Sequence, residues 1–204
     1  MFPDRQARRT RPGGRVLDAH AAENLRFIRE TMERSASFTA VPGIGGMAIG
    51  ATAIVAAWVA SRQTTSAAWL ATWLGEAMAA ILIGAWTVNQ KARARGQPLL
   101  TGAGRKFALS LSPPLVAGAL LTIIIYRLGH ASVLPGLWLL LYGAGIVTAG
   151  AFSVRVVPVM GLCLMAIGAL ALFTPPAWRD VSMAVGFGGV QILFGAIIAR
   201  RFGG

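Results

Sequence analysis

Six runs of mostly apolar residues, parted by short polar breaks, fill most of the chain at positions 41–60, 67–88, 107–127, 133–152, 156–174 and 181–199. At 1.5 Å per helical residue, about 20 such residues cross the roughly 30 Å hydrocarbon layer of a bilayer. The pattern predicts an all-α membrane protein, a six transmembrane helix bundle over residues 41–199. Only Ser153, Val154 and Arg155 separate the fourth and fifth runs, which predicts a tight helical hairpin. Ahead of the bundle the period changes. Asp18 is a good N-cap, and Ala21, Leu25, Ile28, Met32 and Ala36 follow at helical spacing, with Glu30 and Arg34 paired on the other face. Residues 18–38 are therefore expected to form an amphipathic cytoplasmic or interfacial helix whose face Leu25, Ile28 and Met32 meets the membrane surface, the ends of the bundle or a soluble partner.

Composition supports this pattern. The 204 residues are 55% hydrophobic and 13% charged, with mean hydropathy +0.64, against about 25% charged in an average soluble domain. An ordinary soluble enzyme and a disordered chain are both excluded. The 25 Gly and 10 Pro suit membrane helices, in which both residues are commoner than in soluble ones.

Charge sets the expected orientation. Of the 19 Lys and Arg, Arg62, Arg127 and Arg179 fall on one side of the alternating spans and the rest on the other. By the positive-inside bias the chain is expected to be a multi-pass protein of the inner membrane with N and C termini cytoplasmic, residues 200–204 forming the tail. The net charge of +12 and pI near 11.7 then reflect contact with anionic lipid head groups rather than nucleic acid. Residues 1–17 read as a disordered basic arm, with Arg5, Arg8, Arg9, Arg11 and Arg15 against Asp4. That arm has no aromatic interleaving for base stacking, so the lipid surface is its expected partner. No signal peptide is expected, since 38 mostly polar residues precede the first run.

Candidate chemistry is sparse. One cysteine, Cys163, allows neither an internal disulfide nor a thiolate zinc cluster, and His20 and His130 lie outside the apolar runs. No metal site and no cofactor is expected. No Gly-x-Ser-x-Gly or His-Glu-x-x-His sequence and no acidic pair appears, so the chain is expected to be non-enzymatic. Glu76 is the one acidic residue inside a span, about 14 Å deep, and Gln191 lies about 15 Å deep on the sixth. Their matching depth predicts a hydrogen bond between them, serving either as an interhelical clasp or as the proton or cation site of a transporter or channel. Pro113 and Pro114 are expected to break or kink the third span. Trp58, Trp69, Trp86 and Trp178 read as interfacial anchors, and Trp73 and Trp138 as packing or lipid-facing groups. Met47-Ala-Ile-Gly-Ala-Thr-Ala53 matches Met165-Ala-Ile-Gly-Ala-Leu-Ala171 at six of seven positions, a hint of repeated hairpins.

The stretch His20-Ala-Ala-Glu-Asn-Leu-Arg-Phe-Ile-Arg-Glu-Thr-Met-Glu-Arg-Ser35, continuing through Phe38 to Gly46, resembles the opening of a family of small, uncharacterised six-span bacterial membrane proteins. The resemblance implies a gene lying beside that of a winged-helix transcriptional regulator and brings no activity or site residue. Two functional classes are expected on these grounds. The first is a sensor or accessory protein engaging a cytoplasmic protein, such as a transcriptional regulator, through helix 18–38. The alternative is a small transporter or channel using Glu76 and Gln191, closed into a homo-oligomer.

Overall fold

A computed structural model describes residues 23–26, 43–94 and 102–202; the side chains of 102 and 103 are outside that description. The chain divides into two units, Met1–Ala36 and Ser37–Gly204. Of the first, residues 23–26 form one helical turn on which Leu25 is 66% exposed. Ile28, Met32, Asp18 and the basic arm 1–17 lie outside the described residues.

The second unit holds six helices long and apolar enough to cross a membrane, and no strand occurs among its described residues. We number them α1 (Gly43–Ala60), α2 (Ser66–Ala94), α3 (Gly102–Arg127), α4 (Leu134–Gly150), α5 (Val156–Phe173) and α6 (Pro176–Phe202). Every expected span is present, and α2 extends six residues past its expected end at 88. The caps follow local chemistry. Thr65 accepts the Ala68 N–H at 3.2 Å to open α2. At the end of α3, Gly129 takes the left-handed φ of 78° while the N–H groups of Gly129 and His130 donate to Tyr126 and Ile125. No other residue type enters that conformation as cheaply.

The closest approaches between helices run along two seams of glycine. On α4 Gly136, Gly143 and Gly150 recur every seven residues, as do Gly161 and Gly168 on α5. A Cβ on Gly143 would lie 2.7 Å from the Gly161 carbonyl oxygen, and the reverse substitution meets the same distance. Gly50 of α1 similarly faces the Gly188 oxygen of α6, and Gly195 faces that of Gly43. Side chains are absent where the backbones touch because lipid gives helices no hydrophobic reason to associate, so close packing must hold them. The matching words are thus placed alike, with Gly50 in one seam and Gly168 in the other. These seams join α1 to α6 and α4 to α5, the latter being the expected tight hairpin; α2 packs on α1, and α3 on α4.

The expected break in the third span is absent: α3 is a continuous helix through Pro113 and Pro114. The two prolines remove the N–H groups that would have bonded Leu109 and Ser110, and hydroxyls replace them. Ser112 Oγ donates to the Leu109 carbonyl at 3.1 Å, and Thr148 Oγ1 of α4 reaches the Ser110 carbonyl at 3.2 Å. Thr148 has one proton and lies as near to the Ala144 and Gly145 carbonyls, so it is shared among the three acceptors, and the helix stays continuous. The irregularity is instead in α6, whose residues Ala184–Val190 wind as a π-helix before Gln191.

Candidate functional site

Glu76 and Gln191 are both hydrogen-bonded, but to different partners. The Thr52 hydroxyl of α1 lies 2.8 Å from Glu76 Oε1, and Gln191 Nε2 donates to the Tyr142 hydroxyl of α4 at 3.0 Å. The expected Glu76–Gln191 bond is therefore replaced by two separate pairs. The reason lies in packing order. α6 turns Gln191 inward toward α4, whereas beside Glu76 α2 lies against α1, so the depth counted along the sequence does not bring the two residues together.

The surroundings of the pairs differ. Gln191 is 5% exposed at the end of the π segment, and Tyr142 rests against Phe187 with ring centroids 5.4 Å apart. Glu76 is only half-buried and lines a groove of about 330 Å³ between α1 and α2 with Thr52, Val55, Ala56, Val59, Thr72 and Gly75. The groove opens sideways: Val55 is 60% exposed, and a Cβ added to Gly75 would meet no atom within 4 Å.

Local helix chemistry sets which atoms the groove presents. Thr72 donates its proton to the Ala68 carbonyl at 2.9 Å, leaving its oxygen lone pairs as acceptors. Thr52 Oγ1 lies 2.9 Å from the Ile49 carbonyl as well as 2.8 Å from Glu76, and it has one proton to give. With Glu76 ionised, Thr52 donates to the carboxylate. With Glu76 protonated, the acid donates to Thr52, which turns its own proton to Ile49. The same heavy-atom positions accommodate both forms.

A second polar cluster binds four helices at the opposite end from Arg200. Trp69 Nε1 of α2 donates to Asp180 Oδ1 of α6 at 2.6 Å, and Arg179 lies 3.4 Å from Asp180 with its guanidinium 5.0 Å from the Trp69 ring. Trp69 stacks on Trp138 of α4 at 5.7 Å, and Trp138 Nε1 donates to Thr122 of α3 at 2.7 Å. Trp69, expected at the lipid interface, is fully buried instead, because Asp180 satisfies its N–H. Trp58, Trp86 and Trp178 are exposed. Trp73 is 3% exposed, and its Nε1 has no hydrogen-bond partner among the described residues.

Sequence reasoning missed Thr52, Thr72, Tyr142 and Asp180. The two threonines carried a usable signal, being hydroxyls in otherwise apolar runs on α1 and α2, with Thr72 one turn before Glu76. Of the partner face, Leu25 alone is described. No family model, no curated protein and no solved structure matches the chain.

Proposed function

We propose that the chain is a small transporter of the inner membrane, both termini cytoplasmic, in which Glu76 gives up its proton as substrate binds at mid-depth and a cation is left paired with the carboxylate. The observation that carries this reading is the position of Thr52 Oγ1 between the Ile49 carbonyl and Glu76 Oε1, which holds the carboxyl in either protonation state without rearranging the helices. A clasp needs one such state; an exchange site needs both. Gln191 and Tyr142 supply the clasp, joining α6 to α4 in the interior.

The test is flux through reconstituted vesicles. Proteoliposomes with an imposed pH gradient and an internal pH dye receive sodium, potassium or alkylammonium chloride. The wild-type protein is expected to dissipate the gradient with at least one of them, at least tenfold faster than the Glu76→Gln protein. Equal rates for the two proteins with every salt would overturn the reading.

A second reading, engagement of a cytoplasmic partner through residues 18–38, draws on Leu25, an apolar side chain two-thirds exposed. Joint substitution Leu25→Asp and Ile28→Asp is expected to strip a co-purifying protein from the membrane protein. A complex that persists in the double variant rules that surface out.

A further inference from the structure

The substrate class follows from the atoms that line the groove, given the reading of Glu76 as an exchangeable acid on which this inference rests. Three polar side chains face it: the Glu76 carboxyl, the Thr72 hydroxyl and the Thr52 hydroxyl. Thr72 has already given its proton to Ala68, and Thr52 has its own engaged by Glu76 or Ile49. Toward a ligand the groove offers acceptors, so the complementary group is a donor that carries positive charge.

A bare metal ion is a poor match. Calcium takes six to eight oxygens and magnesium a full octahedron, whereas the groove brings three side-chain oxygens beside Val55, Ala56, Val59 and Gly75. An ammonium head is satisfied by two or three acceptors, and an apolar body fits the remaining walls. The groove, about 330 Å³, is open along its side, so it takes the head group and leaves much of the body outside. The route of entry agrees. Arg62, its guanidinium 4.0 Å from the Trp58 ring, places a positive charge at the end of α1 just beyond Val59, which opposes a hydrated cation approaching from water. The opening past Val55 and Gly75 faces the hydrocarbon layer and carries no such charge.

We propose that the groove binds a primary or secondary aliphatic amine that enters sideways from the bilayer. The amine arrives neutral and takes the proton of the Glu76 carboxyl. The N–H bond forms as the O–H bond breaks, leaving an ammonium–carboxylate pair with no net change of charge in the apolar layer. Thr52 then turns its hydroxyl from Ile49 to Glu76, and the ammonium donates to the carboxylate and to Thr72. The alkyl body extends along Val55 and Val59 toward lipid.

The experiment uses the full-length protein in lipid nanodiscs, with n-octylamine as the probe and titration calorimetry as the readout. Saturable binding near 1:1 is expected, weakened at least tenfold in the Glu76→Gln protein and in the Gly75→Leu protein. The latter fills the groove from open space and should melt at the wild-type temperature. Octyltrimethylammonium, which has no N–H, and octanol, which has no charge, are expected to bind at least tenfold more weakly than octylamine. Equal affinity for either of them, or binding of octylamine unchanged by Glu76→Gln, overturns the proposal. A hydrophobic carbodiimide, which modifies protonated carboxyls reached from lipid, is applied to the same samples. Glu76 modified but octylamine unbound overturns the amine and leaves the acid in place, whereas absence of both removes the acid as well.

Discussion

The Thr52–Glu76 and Tyr142–Gln191 pairs both stand within the spans of one apolar bundle and are built from comparable hydrogen bonds of 2.8 and 3.0 Å. What separates them is enclosure. Gln191 is held between α6 and α4, beside a π segment and Phe187, and its side chain is used up in fastening helices. Glu76 lies on a flank where α2 rests against α1, and beside it are a groove and an acceptor hydroxyl. The work open to an intramembrane polar group is decided by the packing around it more than by its own chemistry. A sealed group can only hold, while a half-open one can also exchange.

The sharpest way to break this comparison is to add the same side chain to each region. Gly143→Leu drives carbon into the Gly161 carbonyl and is expected to cost more than about 3 kcal/mol, through overpacking against backbone that cannot yield. Thermal unfolding in detergent should show loss of the folded protein, whereas Gly75→Leu should leave the transition unchanged or slightly raised. Next in size, Trp69→Phe removes the donor to Asp180 Oδ1, leaving the carboxylate to Arg179 alone, and is expected to cost about 2 kcal/mol, as loss of a hydrogen bond to a charged group does. Trp73→Phe removes an N–H that has no partner among the described residues, and it should cost less than half as much in the same melting assay.

Smaller effects sharpen the contrast between the pairs themselves. Gln191→Leu is expected to cost about 1 kcal/mol by leaving the Tyr142 hydroxyl unpaired, and adding Tyr142→Phe should recover most of that loss. Failure of the double variant to recover would mean that Gln191 does more than fasten. The smallest stability change, within about 0.6 kcal/mol, is expected for Glu76→Gln, whose amide still meets Thr52. The same variant should show the largest loss of octylamine binding, which separates holding from exchange in one protein.

The six spans were legible because a bilayer demands one thing of a helix, about 20 apolar residues, and the chain states it six times. Which helices touch was less legible. Depth can be counted along a sequence, and it placed Glu76 and Gln191 level with each other; azimuth and neighbour order arise from the glycine seams, whose partners lie up to 156 residues apart, as Gly43 and Ala199 do. The prolines of α3 misled for a related reason. Their local effect is to free two carbonyls, but one of the remedies, Thr148, sits on another helix. Trp69 was misplaced likewise, because the carboxylate that lets it be buried comes from α6.

The long second helix has a mechanical consequence. Its buried residues fall in two groups, Trp69 and Trp73 near one end and Lys91 and Ala92 near the other, with none between. A rod whose middle rests half-exposed against one neighbour, α1, bows there more easily than where its side chains are buried. The Glu76 groove borders that slack stretch. A guest wider than the resting gap can be admitted by elastic bowing of one helix, while the glycine-seamed frame behind it stays still.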